Sequence, residues 1–68
     1  MKTKVTNNLY VERAKLRITQ EDLAKKIGTT RQTIHLLESG KTDPKLSLAL
    51  KIAGFFKVRV TDIFGYQK

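Results

Sequence analysis

Sixty-eight residues carry fourteen Lys and Arg against six Asp and Glu, a formal charge of +8 at pH 7, with one His and no Cys. A chain this short makes one domain with a thin core, and without cysteine neither a disulfide framework nor a cysteine-bound zinc can staple it. The basic excess favours a polyanionic partner, nucleic acid ahead of an acidic membrane surface.

The fourteen cations are spread along the whole chain, so any patch must be assembled by the fold. No segment approaches the roughly 20 apolar residues needed to span a bilayer, and the first fifteen residues lack the apolar core of a leader. A cytoplasmic protein with no membrane partner is therefore expected. There is no repeat, low-complexity tract or linker.

In chain order, the termini KTKVT and FGYQK alternate weakly and read either as short strands or as frayed ends. A first helix is expected over about Asn8–Leu16, with Asn7 or Asn8 as its cap; Leu9 and Leu16 stand one heptad apart, with Glu12 between them. The second starts at Thr19, whose hydroxyl can accept from a backbone N–H two or three residues on, and Gln20, Glu21 and Asp22 fill its first turn. Leu23, Ala24 and Ile27 supply its apolar stripe, and Gly28 permits the left-handed turn that ends it. Thr30 is placed to cap a third helix, closed at Gly40. Pro44 breaks the pattern before a fourth helix over about Leu46–Phe56, apolar around more than half its circumference and therefore central or in an interface. Thr61 is the expected cap of a single fifth turn carrying Ile63 and Phe64.

Two helices joined by so tight a turn, with Ala24 in the first and Gly28 at the bend, make a helix-turn-helix over about residues 19–40. The stretch TQEDLAKKIGTTRQTIHLLESGKTDP resembles the helix-turn-helix of the Cro and phage-repressor (xenobiotic-response-element) family. LSLALKIA followed by VTDIF carries the likeness to about Phe64, and the small single-domain chain resembles the cytolysin-regulator repressors of that family. The resemblance implies an all-α, five-helix lambda-repressor-like DNA-binding domain over residues 1–68, with short terminal strands at a dimer interface. It also implies double-stranded DNA as partner, with the third helix in the major groove and no cofactor, metal or small-molecule ligand.

The residues carry a compatible chemistry. At about 100° per residue, Thr30, Ile34, Leu37 and Glu38 gather on one side of the third helix, and Gln32, His35, Leu36 and Ser39 point away. Arg31 and Thr33 flank that outward face. Arg31 can fork onto guanine, Gln32 onto adenine, and Leu36 can meet a thymine methyl, each good bidentate pair discriminating by about 1–3 kcal/mol. Arg31, Gln32, Thr33, His35 and Leu36 are thus the candidate base-contacting residues. Gln20, Thr29, Thr30, Ser39 and Lys41 are the candidate backbone contacts, with Lys45 and Arg17 as further phosphate candidates. The family's usual role for Gln20 agrees.

The resemblance also implies a structural, partly buried bridge between Arg13 and Glu38. Three residues depart from the family pattern. Glu12 stands where leucine is frequent, so the first helix is rotated or Glu12 has its own partner. Arg17 replaces a common glycine. Lys57 stands where a glycine often caps the fourth helix, while Gly54 sits inside it, which suggests an early helix end or a close backbone approach.

One histidine, no cysteine and no acid pair give catalysis little support, so no enzyme is expected. The expectation is a sequence-specific regulator, a repressor binding a palindromic operator as a homodimer, because two copies place two recognition helices about 34 Å apart, one DNA turn. Val5, Phe64 and Tyr66 are the expected dimer contacts, through a sheet of the two termini. An antitoxin or adaptor-like interaction module on the same fold is the alternative, and a charge-driven non-specific binder the third reading.

Overall fold

The computed structural model of the chain describes residues 4–67. Its elements are β1 (Lys4–Asn7), α1 (Leu9–Leu16), α2 (Gln20–Ile27), α3 (Arg31–Glu38), α4 (Leu46–Phe56), α5 (Val60–Ile63) and β2 (Phe64–Gln67). Each of the first four helices sends one fully enclosed residue to a common centre: Leu9, Leu23, Ile34 and Ile52. Burying an aliphatic side chain of this size stabilises by about 1.5–3 kcal/mol, so these four positions dominate the small core. Ala24, Leu37, Ile63 and Phe64 close it at the sides. Among the described residues no helix is long and apolar enough to cross a membrane.

Capping explains most helix ends. Thr19 precedes α2 in extended conformation; its hydroxyl accepts from the Asp22 N–H at 2.9 Å, while the Asp22 carboxylate accepts from the Thr19 N–H at 3.0 Å. That reciprocal pair satisfies two otherwise unpartnered donors. Gly28 then turns left-handed (φ 80°), and its N–H and that of Thr29 both reach the Ala24 carbonyl. The chain is thereby aimed at α3, where the Thr30 hydroxyl accepts from the Thr33 N–H at 3.2 Å.

Several sequence expectations are revised here. The α1 cap position is Asn8, but its side chain makes no capping bond. Asn7 does that work instead, accepting from the Leu9 N–H at 3.0 Å and donating to the Leu37 carbonyl at 2.8 Å, so one amide ties the start of α1 to the end of α3. Glu12 has its own partner, Lys15, at 3.2 Å. Arg17 and Lys57 keep the left-handed conformation of the glycines they replace (φ 56° and 59°) and cap α1 and α4. A side chain in that region costs about 1–2 kcal/mol, which both caps absorb. α4 does not end early at Gly54 but runs on to Phe56. α5 starts at Val60 rather than after Thr61, because the Asp62 carboxylate accepts from the Arg59 N–H at 2.9 Å and fixes the cap at Arg59.

The termini do form strands, and they pair with each other inside one chain. β1 and β2 run antiparallel with Val5 opposite Tyr66 and Asn7 opposite Phe64. A Cβ on Gly65 would stand 2.8 Å from the Thr6 hydroxyl, so any larger residue there would have to displace the Thr6 side chain. Phe64 belongs to β2, not to the α5 turn, and it is buried in its own chain's core. Of the three expected dimer contacts, Phe64 is thus buried, Val5 half-buried and Tyr66 exposed. Lys2 and Thr3 of the first terminal stretch, and Lys68 of the last, lie outside the described residues.

Candidate nucleic-acid interface

α3 is amphipathic along its length. Ile34 and Leu37 are buried against the core, while Arg31, Gln32, His35 and Ser39 are exposed. Arg31, Gln32 and His35 together line a shallow depression of about 270 Å³. Three side chains with forked, amide and imidazole donors thus share one small surface at the N-terminal half of the helix. The first turn of α3 contains no acid, so nothing offsets the positive end of its dipole next to Arg31.

Thr33 and Leu36 sit differently. Both are half-buried, and the Thr33 hydroxyl lies 2.9 Å from that of Thr30. They line a groove of about 330 Å³ with Thr29, Thr42, Asp43, Pro44, Lys45 and Leu48, between α3 and the segment leading into α4. Leu36 is therefore neither a freely projecting residue nor a core residue; it forms one wall of a groove beside the exposed trio. Sequence periodicity gave no hint of Thr42 or Asp43, because the connection after Gly40 has no repeat from which to place them. Only Pro44 signalled that the chain turns there.

Among the expected phosphate contacts, Thr30, Ser39 and Lys41 are exposed and Thr29 is half-buried in the groove wall. The Ser39 hydroxyl donates to the Leu36 carbonyl at 3.1 Å. Gln20 is half-buried, and its amide donates to Glu38 Oε1 at 3.1 Å. One of its two amide hydrogens is committed by that bond, leaving the other for a ligand.

Glu38 is the hub of this end of the site. Arg13 Nε donates to Glu38 Oε2 at 2.6 Å and Nη2 to Oε1 at 3.1 Å, a two-pronged pair whose side chains are only 12% and 9% exposed. Arg13 Nη1 donates in addition to the Ile18 carbonyl at 2.8 Å, and the guanidinium lies 5.5 Å from the Tyr10 ring centre. Burial pushes the Glu38 carboxyl up, but hydrogen bonds from Arg13 and Gln20 and the Arg13 charge outweigh it, so its pKa falls below the ordinary glutamate value. The charged pair binds α1, the start of α2 and the end of α3 into one unit. Tyr10, Gln20, His35, Glu38 and Ser39 line the depression above it.

Comparison with known proteins agrees with this geometry. The helix-turn-helix family profile matches residues 9–63. An uncharacterized HTH-type transcriptional regulator of Methanocaldococcus jannaschii is 57% identical over 61 residues, covering 90% of this chain and 92% of that one. One from Bacillus subtilis is 42% identical over 62 residues, covering 91% and 94%. A solved structure described as a "putative DNA-binding protein" from Bacteroides fragilis superposes with a TM-score of 0.79 at 26% identity, covering 90% of this chain and 98% of that chain. With the profile spanning all five helices of the fold, the chain belongs to the helix-turn-helix proteins of the Cro and phage-repressor type.

Proposed function

We propose that the chain is a sequence-specific DNA-binding regulator, a repressor that binds a palindromic operator as a homodimer with α3 in the major groove. The carrying observation is the exposed cluster of Arg31, Gln32 and His35 on α3, next to a helix N-terminus free of acids. Arg31 pairs with guanine and Gln32 with adenine in this reading, His35 and Thr33 supply further hydrogen bonds, and Leu36 meets a thymine methyl from the groove wall. Gln20, Thr29, Thr30, Ser39 and Lys41 hold the phosphates and fix the register. A single copy reads only a few base pairs, and two copies on a twofold-symmetric site multiply that discrimination.

The test begins by selecting bound sequences from a random DNA pool, then titrates the selected site against a scrambled one at several salt concentrations. A large affinity ratio and a palindromic consensus are expected. Each phosphate contact contributes about −0.9 to the slope of log affinity against log salt. Arg31→Ala and Gln32→Ala should relax specificity, whereas Lys41→Ala should weaken both DNAs alike and flatten the slope. Equal affinity for both DNAs would leave a charge-driven non-specific binder.

A further inference from the structure

α4 carries an apolar face that the described residues do not cover. Leu46 and Leu50 are 73% and 54% exposed. One turn further on, Gly54 has open space where a side chain would stand. Spaced four residues apart, the three lie along one side of the helix. Glycine inside a helix is destabilising relative to alanine, and nothing among the described residues approaches Gly54 closely enough to require it.

Resting on the homodimer reading, we propose that this stripe is the surface on which a second copy docks, the two α4 helices packing antiparallel across a twofold axis at Leu50. An isologous contact needs a patch complementary to itself. With Leu50 against its own counterpart, the antiparallel register lays Leu46 of each copy over the bare backbone of the partner's Gly54. Bulk at one end of the stripe meets open space at the other, twice.

Charge follows the same register. Asp43 precedes the first residue of the stripe and Lys57 follows the last, so the twofold brings the acidic end of one copy to the basic end of the other. Of the six acids in the chain, Asp43 alone has neither a hydrogen bond nor an ion pair among the described residues. Lys57 is exposed and equally without an acidic partner among them. Two cross-copy pairs would use both. The stripe also begins next to Pro44 and Lys45, which line the groove along α3, so the contact adjoins the recognition face.

The experiment is sedimentation equilibrium of the full chain, with and without the selected DNA site, with circular dichroism to check folding. The wild type should dimerise, and Leu50→Glu, at an exposed position, should stay folded while its dimer dissociation constant rises by about 30-fold or more. Gly54→Leu should dimerise more weakly yet unfold at a higher temperature, since the side chain is free of clashes within one chain. Asp43→Lys and Lys57→Asp should each weaken the dimer, and the double variant should recover most of the loss. A wild-type dimer indifferent to Leu50→Glu would place the partner elsewhere, for instance on the terminal sheet at Tyr66, and overturn this surface while the homodimer stands. No recovery in the double variant would overturn the proposed register. A wild type that is monomeric throughout, DNA included, would overturn the homodimer and this surface together and leave the α4 face to a different partner.

Discussion

Glu38→Ala is the most informative single perturbation of the fold. The carboxylate receives two hydrogen bonds from Arg13 and one from Gln20, with both members of the charged pair about one-tenth exposed. Removing it leaves Arg13 with the Ile18 carbonyl alone for a nearly enclosed guanidinium. An exposed pair would be worth about 0–1 kcal/mol. Breaking a buried one by deleting a single partner costs about 3–5 kcal/mol. The narrow solvent access of this pair sets the expectation at the low end, about 3 kcal/mol, against a total of about 3–10 kcal/mol for a chain of this size. Urea denaturation followed by circular dichroism measures it, and the melting temperature should fall on the order of 15 °C. The combined Arg13→Met, Glu38→Met variant should lose about 1 kcal/mol or less, because replacing both charges leaves neither stranded. A Glu38→Ala loss below about 1 kcal/mol, or a double variant that loses the sum of the singles, would refute the reasoning.

Four more outcomes follow from the geometry. Glu38 has a lowered pKa in the folded chain, so its contribution is complete above its unfolded value of 4.5 and lost as pH falls through the folded value; urea midpoints should decline below about pH 4.5, and Glu38→Gln should remove part of that decline. Arg17→Gly relieves a left-handed side chain at φ 56° and should stabilise by about 1 kcal/mol, read as a higher urea midpoint with unchanged slope. Gly28→Ala places a side chain at φ 80° and should cost about 1–2 kcal/mol in the same assay. Leu36→Ala should erase any affinity difference between thymine and uracil versions of the operator, while a difference that persists would assign Leu36 to the groove wall alone.

How much of this was legible beforehand depends on how local the determining physics is. The caps of α2 and α3 and the turn at Gly28 follow from neighbouring residues, and Thr19, Asp22 and Thr30 take the roles their chemistry suggests. Periodicity likewise separated Ile34 and Leu37 from Gln32 and His35. Where the deciding partner lies far along the chain, the sequence was mute. Nothing near Asn7 announces that its amide reaches Leu37, thirty residues on, or near Gln20 that its amide donates to Glu38. The half-burial of Leu36 likewise depends on Thr42 and Pro44 folding back along α3. The family likeness pointed to Arg13 and Glu38; composition and spacing alone did not.

The distribution of acids gives the net charge its meaning. Glu12 is held by Lys15, Glu21 faces Lys25 at 3.9 Å, Asp22 and Asp62 close helix starts, and Glu38 is clasped by Arg13. Five of the six negative charges thus have a partner inside the chain, a lysine or arginine side chain or the N–H of a helix cap. Around α3 the balance is different: Arg31, Lys41 and Lys45 are exposed and none has an acidic partner among the described residues. Only Asp43 stands near them unneutralised, on the groove wall beside Lys45. A phosphate approaching that groove would meet its repulsion unless something holds the carboxylate aside. In the proposed dimer a lysine from the second copy would do so, and assembly would then change the charge presented to DNA: Asp43→Asn should strengthen DNA binding by a monomeric variant such as Leu50→Glu more than it strengthens binding by the wild type.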